Sequence, residues 1–180
     1  SKTLTAQMHK AISVMQFKIE SQIISRHPEW KMDDRRLLNS IDYKKGTIKI
    51  KGKEYPMRSC NFPTIDPKNP DKLTKEEEAI IEKLHQSFTS SEKLRGHIRS
   101  LLRHGCMYNI FNHNLLYHAS IPLTKDGELK EVELKPGLKL KGKELMYQTG
   151  MLIRSAFQVP TDEEGEEERD YAIDYFLYLW

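Results

Sequence analysis

The stretch that most constrains this chain is residues 105–123, GCMYNIFNHNLLYHASIPL. Two apolar runs, 107–111 and 115–117, flank Asn112-His113-Asn114. Tyr, Ile and Phe favour extended backbone, and Asn tolerates the left-handed conformations of a tight turn, so the pattern predicts a β-hairpin. The second strand runs into His118, then into the small residues Ala119 and Ser120 and on to Pro122. A buried strand that ends in histidine, with small residues beside it, is one way to present imidazole to a metal ion. On spacing alone, the commoner reading of such a residue is a packed or solvated histidine.

The rest of the chain reads as helices and short strands around this hairpin. Leu4, Met8, Ala11, Ile12, Met15, Ile19 and Ile23 recur every three or four residues. They predict a long helix with one apolar face to about residue 24, ended by Pro28. Asp33 is an expected N-cap for a short helix through Asn39. Residues 47–50 and 53–55 flank Lys51-Gly52 and predict a second hairpin. Its lysines at 44, 45, 49, 51 and 53 read better as a solvated edge than as a phosphate surface. Prolines 63, 67 and 70 make 60–73 an irregular loop. Thr74 and Glu77 then form a capping box for a helix whose apolar face carries Ile80, Ile81, Leu84 and Phe88.

Ser90-Ser91 recaps the chain into a further helix that stops at Gly105. Arg95, Arg99 and Arg103 lie on it at i, i+4 spacing, with His97 and His104 nearby. Such a ridge can bind a phosphate or an acidic partner, but the commoner reading is the solvated side of an amphipathic helix. Beyond the hairpin, 128–134 and 138–140 read as strands and 142–157 as a helix. The acidic run 162–168 reads as a solvated linker, and the last element begins near residue 166. Its apolar residues (Tyr171, Ile173, Tyr175, Phe176, Tyr178, Trp180) point to burial on several sides. The chain stops in that apolar run and starts at Ser1 without Met, from which a piece of a longer polypeptide is expected.

Composition removes several classes of function. The 180 residues carry 29 basic and 26 acidic side chains, a net charge of +3. That is too balanced for a nucleic-acid binder of this size. Two cysteines, Cys60 and Cys106, form neither a disulfide framework nor a zinc spacing, and they suit the reducing cytoplasm. No apolar run approaches the roughly 20 residues of a membrane span, and the N-terminus does not read as a signal peptide. Phosphate loops, G-x-S-x-G, H-E-x-x-H and C-x-x-C are absent from the sequence.

NLLYHASIP (114–122) resembles the histidine-bearing strand and loop of calcineurin-like metallophosphatases. More widely, the chain is similar to the class III, Firmicutes-type fructose-1,6-bisphosphatases. The matching blocks are AISVMQFKIESQIISRHPEW (11–30), MDDRRLLNSIDY (32–43), KGKEYPM (51–57), NFPTIDPKNPDKLTKEEE (61–78), SEKLRGH (91–97), NLLYHASIP (114–122), GKELM (142–146) and YAIDYFLYLW (171–180). Ala119 and Ser120 stand where that family usually has Gly and Cys, and His113 stands where a turn Gly is usual.

The resemblance implies an α+β fold, its central hairpin contributing to a metallophosphatase-type sheet that is incomplete without the rest of the protein. Residues 1–180 would be one internal fragment, with 27–73 a family-specific elaboration and 74–180 part of the phosphatase core and flanking helices. Whether 27–73 acts as a cap, a subunit contact or an effector surface is open at this stage. The implied chemistry is two-metal hydrolysis of fructose 1,6-bisphosphate, with Mn2+ favoured. Only His118 matches a metal-ligand position, so the isolated chain is expected to be inactive. Arg95, Arg99 and Arg103 are the substrate-binding candidates. The implied partners are the substrate, the remainder of the polypeptide and a second copy in a homo-oligomer; neither nucleic acid nor membrane is among them. The competing reading is a non-enzymatic module whose basic surfaces meet an acidic partner.

Overall fold

A computed structural model describes residues 2–118 and 120–179; expectations for Ser1, Ala119 and Trp180 lie outside the described residues. The fold is α+β, with helices and small antiparallel sheets. The chain divides into two compact units, Ser1–Thr89 and Ser90–Trp180.

In the first unit, α1 spans Lys2–Arg26. Its buried side chains are Val14, Met15, Lys18, Ser21 and Ile24, not the predicted apolar row. Of that row only Met15 is buried, and Leu4, Met8 and Ile12 are more than half exposed, at 55%, 56% and 51%. The covered face is therefore turned by about 100°, one residue position, from the expected one. Hydrogen bonds select it. Lys18 Nζ donates to Thr64 O at 2.6 Å and to Glu77 Oε2 at 2.7 Å. Arg36 Nε donates to Ser21 Oγ at 2.9 Å and Arg36 Nη2 to Asp71 Oδ2 at 2.8 Å, while Gln22 Nε2 donates to Asp71 O at 2.7 Å. Buried polar groups must be satisfied, so the proline-rich loop docks where α1 offers donors.

The short helix expected from Asp33 is instead two 3-10 turns, Asp33–Arg35 and Leu37–Ser40, interrupted at Arg36. Asp33 lies inside the first turn and its N-cap position is Met32. Trp30, Met32 and Leu38 are buried, and the 3-10 turns of this segment contact α1. The second hairpin forms as expected: β2 (Thr47–Ile50) pairs with β3 (Lys53–Pro56), and β1 (Ile41–Asp42) adds a third strand. Lys51 and Gly52 both have positive φ, 47° and 80°, the requirement of a two-residue turn whose twist matches its strands. The capping box also forms at the start of α2 (Lys75–Thr89). Thr74 N–H donates to Glu77 Oε2 at 2.9 Å, and Glu77 N–H donates to Thr74 Oγ1 at 3.2 Å. The apolar face of α2 is left bare, however, with Ile80, Leu84 and Phe88 all exposed.

In the second unit, Ser91 caps α3 (Glu92–His104) by accepting from Leu94 N–H at 3.3 Å. The hairpin β4 (Tyr108–Phe111) and β5 (Asn114–Tyr117) follows. β6 (Val132–Lys135) and β7 (Leu138–Leu140) form another two-stranded ribbon with a register shift between Glu133 and Lys135. Residues 128–131 stay outside the strand, contributing only an isolated Leu123–Leu129 bridge. α4 (Gly142–Ser155) packs on α5 (Glu163–Leu179). Leu134, Leu145, Leu152, Ala156, Ala172 and Tyr175 form the core. The acidic run is not a linker: α5 begins at Glu163, and Asp162 Oδ1 accepts from Gly165 N–H at 2.8 Å. Carboxylates suit the positive end of a helix, which is why the run folds into its first turns.

Candidate functional site

The β4–β5 hairpin has the expected strands with a tighter turn. Phe111 pairs with Asn114, leaving Asn112 and His113 as the two turn residues, at φ 49° and 61°. This explains why a glycine suits position 113, since the left-handed region costs a side chain that glycine lacks. From the turn the ladder runs back to Tyr108–Tyr117, and His118 follows at the bend beyond β5. Residues 112–113 and 118 thus occupy opposite ends of the ladder.

Two carbonyls at the C-terminal end of α3 and its cap are held from α4. Arg154 Nε donates to Leu102 O at 3.2 Å, Arg154 Nη2 to Gly105 O at 2.7 Å, and Arg154 Nη1 to Gly150 O at 2.8 Å. These bonds fix the entry of the hairpin and satisfy carbonyls that a helix end leaves unpaired. Nothing in the local sequence marks Arg154 for this role, because its partners lie 52 and 49 residues away.

The expected burial of the histidine-bearing strand does not occur in this chain. Every residue of β5 is exposed, and so is His118. Ile110 and Phe111 of β4 are 65% and 71% exposed. Two strands alone cannot enclose a core, and a near-continuous apolar run belongs to a sheet covered on both faces. Arg95, Arg99 and Arg103, with His97 and His104, are all exposed on α3.

Among the described residues, no group of three or more His, Cys, Asp or Glu side chains is placed to hold a metal ion. A dinuclear manganese centre needs several nitrogen and oxygen donors. His118, the expected ligand, is in no such group.

In the first unit, a broad recess of about 700 Å³ is lined by Asp42, Tyr43, Lys44, Lys45, Lys49 and Glu54 among others. Two carboxylates offset its three lysines. Asp42 Oδ1 accepts from the backbone N–H of Lys45 at 2.9 Å and of Lys44 at 3.0 Å. The Lys45 bond is the largest of the influences holding the Asp42 carboxyl below its ordinary value. That mixed lining fits the solvated reading of the lysine ribbon.

With this geometry in place, comparison with known proteins decides the family. The chain matches the model for Firmicute fructose-1,6-bisphosphatase over residues 1–180. It belongs to that family. A class 3 fructose-1,6-bisphosphatase of Phocaeicola vulgatus is 54% identical over 178 residues, covering 98% of this chain and 26% of that protein. Enzymes of the same name from Bacteroides thetaiotaomicron and Clostridium novyi are 48% and 46% identical over 177 residues, with the same coverages. The chain therefore spans about a quarter of the length of these family members. No solved structure matches it. No helix among the described residues is long and apolar enough to cross a membrane.

Proposed function

We propose that this chain is part of a manganese-dependent fructose-1,6-bisphosphatase, which releases the 1-phosphate of fructose 1,6-bisphosphate during gluconeogenesis in the cytoplasm. The observation that carries the reading is the end-to-end match to relatives named for that activity. His118 is the metal ligand this chain supplies. It stands just past a strand end with its side chain exposed, so the imidazole is accessible to an ion. The remaining donors come from other parts of the polypeptide, which also cover the bare faces of β4–β5. When bound, the cations supply an activated water and neutralise charge on the phosphoryl oxygens. This chain's own part is to hold one imidazole nitrogen at the end of a ladder whose entry Arg154 fixes.

The test is His118→Ala in the full-length protein. Manganese-dependent phosphate release should fall by about 100-fold or more, and manganese affinity by calorimetry should fall at least about tenfold. Unchanged turnover and unchanged manganese stoichiometry would sink the assignment. The isolated 180-residue chain should release no phosphate with manganese present; turnover by it would show that the donors lie within these residues.

A further inference from the structure

The β4–β5 hairpin is fastened to the rest of its unit at the end that carries His118. Beyond β5, Lys130 N–H donates to Pro122 O at 3.0 Å and Leu123 bridges Leu129. Before β4, Arg154 holds Leu102 O and Gly105 O. The turn at the far end closes on itself, with Asn114 Nδ2 donating to Asn112 O at 2.9 Å. Two glycines make the fastening before β4 close-fitting. A Cβ at Gly105 would collide with Leu101 O, which accepts the Gly105 N–H at 2.7 Å. A Cβ at Gly150 would stand 3.3 Å from Arg154 Nη1 and 3.6 Å from Met107 Cγ. The bare backbone of α4 therefore seats Met107 and the guanidinium side by side. Tyr108 pairs with Tyr117, and one step beyond that pair the two strands continue into Met107 and His118. Paired backbones lie about 5 Å apart, so His118 is a near neighbour of the seat on α4.

We propose that Arg154 is a positioning residue for the imidazole of His118. Its guanidinium ties Leu102 O and Gly105 O to Gly150 O of α4 and so sets where the histidine-bearing end of the ladder stands. The role rests on the reading of His118 as a metal ligand. Its contacts are closed inside the unit: Arg154 is half-buried, and its Nε, Nη1 and Nη2 all donate. A planar fork fixes the mutual directions of three carbonyls, which an ammonium on a flexible stem does not. Functional donors tolerate displacements of about 0.5 Å. Loosening this tie is therefore felt at the imidazole although no donor is removed.

The test is a double-mutant cycle in the full-length protein, with Arg154→Met, His118→Ala and the two combined. Manganese affinity is read by calorimetry, and amide hydrogen exchange over residues 105–118 is read without metal. Arg154→Met should weaken manganese binding about tenfold at unchanged stoichiometry. It should also speed exchange of those amides at least about fivefold. Arg154→Lys, which reaches fewer carbonyls, should weaken binding by only about threefold. In the His118→Ala background, Arg154→Met should change affinity by less than about twofold, because the group it positions is gone. A residue that only braces α3 against α4 would lower affinity by the same factor in both backgrounds, and that result would overturn the proposal. So would parental affinity in Arg154→Met when His118→Ala binds more weakly. Parental affinity in His118→Ala itself would instead sink the ligand reading, and this role with it. If Arg154→Met loses its parental circular dichroism, the cycle is run with Arg154→Lys and judged by the same criteria.

Discussion

The loop at 57–74 and the hairpin at 105–123 meet the same problem in opposite ways. Both are short on regular structure that could enclose a core. The loop is held by buried polar bonds: Lys18, fully buried, reaches Thr64 and Glu77, while Arg36 and Gln22 hold Asp71. The hairpin has good local pairing and exposes its apolar residues. The loop is thus completed by its own unit, whereas the hairpin is a finished ladder with unfinished packing. Irregular backbone can be better anchored than regular backbone when side chains from elsewhere satisfy it.

The sharpest way to break the comparison is Lys18→Ala, which leaves the Glu77 carboxylate buried without its cation. That should cost about 3–5 kcal/mol. Urea unfolding of the first unit, followed by buried Trp30 with Trp180 replaced by Phe, reads it. A loss below about 1 kcal/mol would mean that the loop is held some other way.

The same pair sets a pH window. Burial alone pushes the Glu77 carboxyl up, but the Lys18 ammonium, the Thr74 N–H and Thr64 together hold it below its ordinary 4.5. A carboxyl lowered in the folded state stabilises fully above its unfolded value. That contribution is lost as pH falls through the lowered one. The contribution of Glu77 to first-unit stability should therefore be constant above about pH 5.5 and decline below about 4.5. In Glu77→Gln that part of the decline should disappear; an unchanged acid profile would remove Glu77 from the account.

His113→Gly relieves a side chain at φ 61° and should stabilise the hairpin by about 1 kcal/mol, partly offset by the freer unfolded chain. Hydrogen exchange of the β4–β5 ladder amides should slow up to about fivefold. Faster exchange would show that the imidazole supports the turn. The smallest effect belongs to Phe111→Ser. Phe111 is 71% exposed, so the change should stay within about 0.5 kcal/mol in the isolated chain. A larger loss would mean that the hairpin face is covered after all.

Features closed by local hydrogen bonds were legible in the sequence. The Thr74/Glu77 box, the Ser91 cap and the Lys51-Gly52 turn need only neighbours within four positions, so the residue pattern specifies them, whereas the Asn112-His113 turn is one residue tighter than the pattern suggests. The acidic run reads as a linker by charge density alone, whereas Asp162 and Glu163 carry the chemistry of a helix start. The apolar row of α1 was legible as a helix and misleading as a face.

By itself, then, the sequence determined the α+β class, the hairpin that ends at His118, and the family. Tertiary structure alone decided which face of α1 is covered, because Lys18, Ser21 and Gln22 find partners up to 59 residues away. It also decided that α3 and the hairpin entry are tied to α4 through Arg154. The physical reason is the range of the interaction. Caps and turns are satisfied within a few residues, whereas a buried donor takes whichever acceptor the packed chain brings to it.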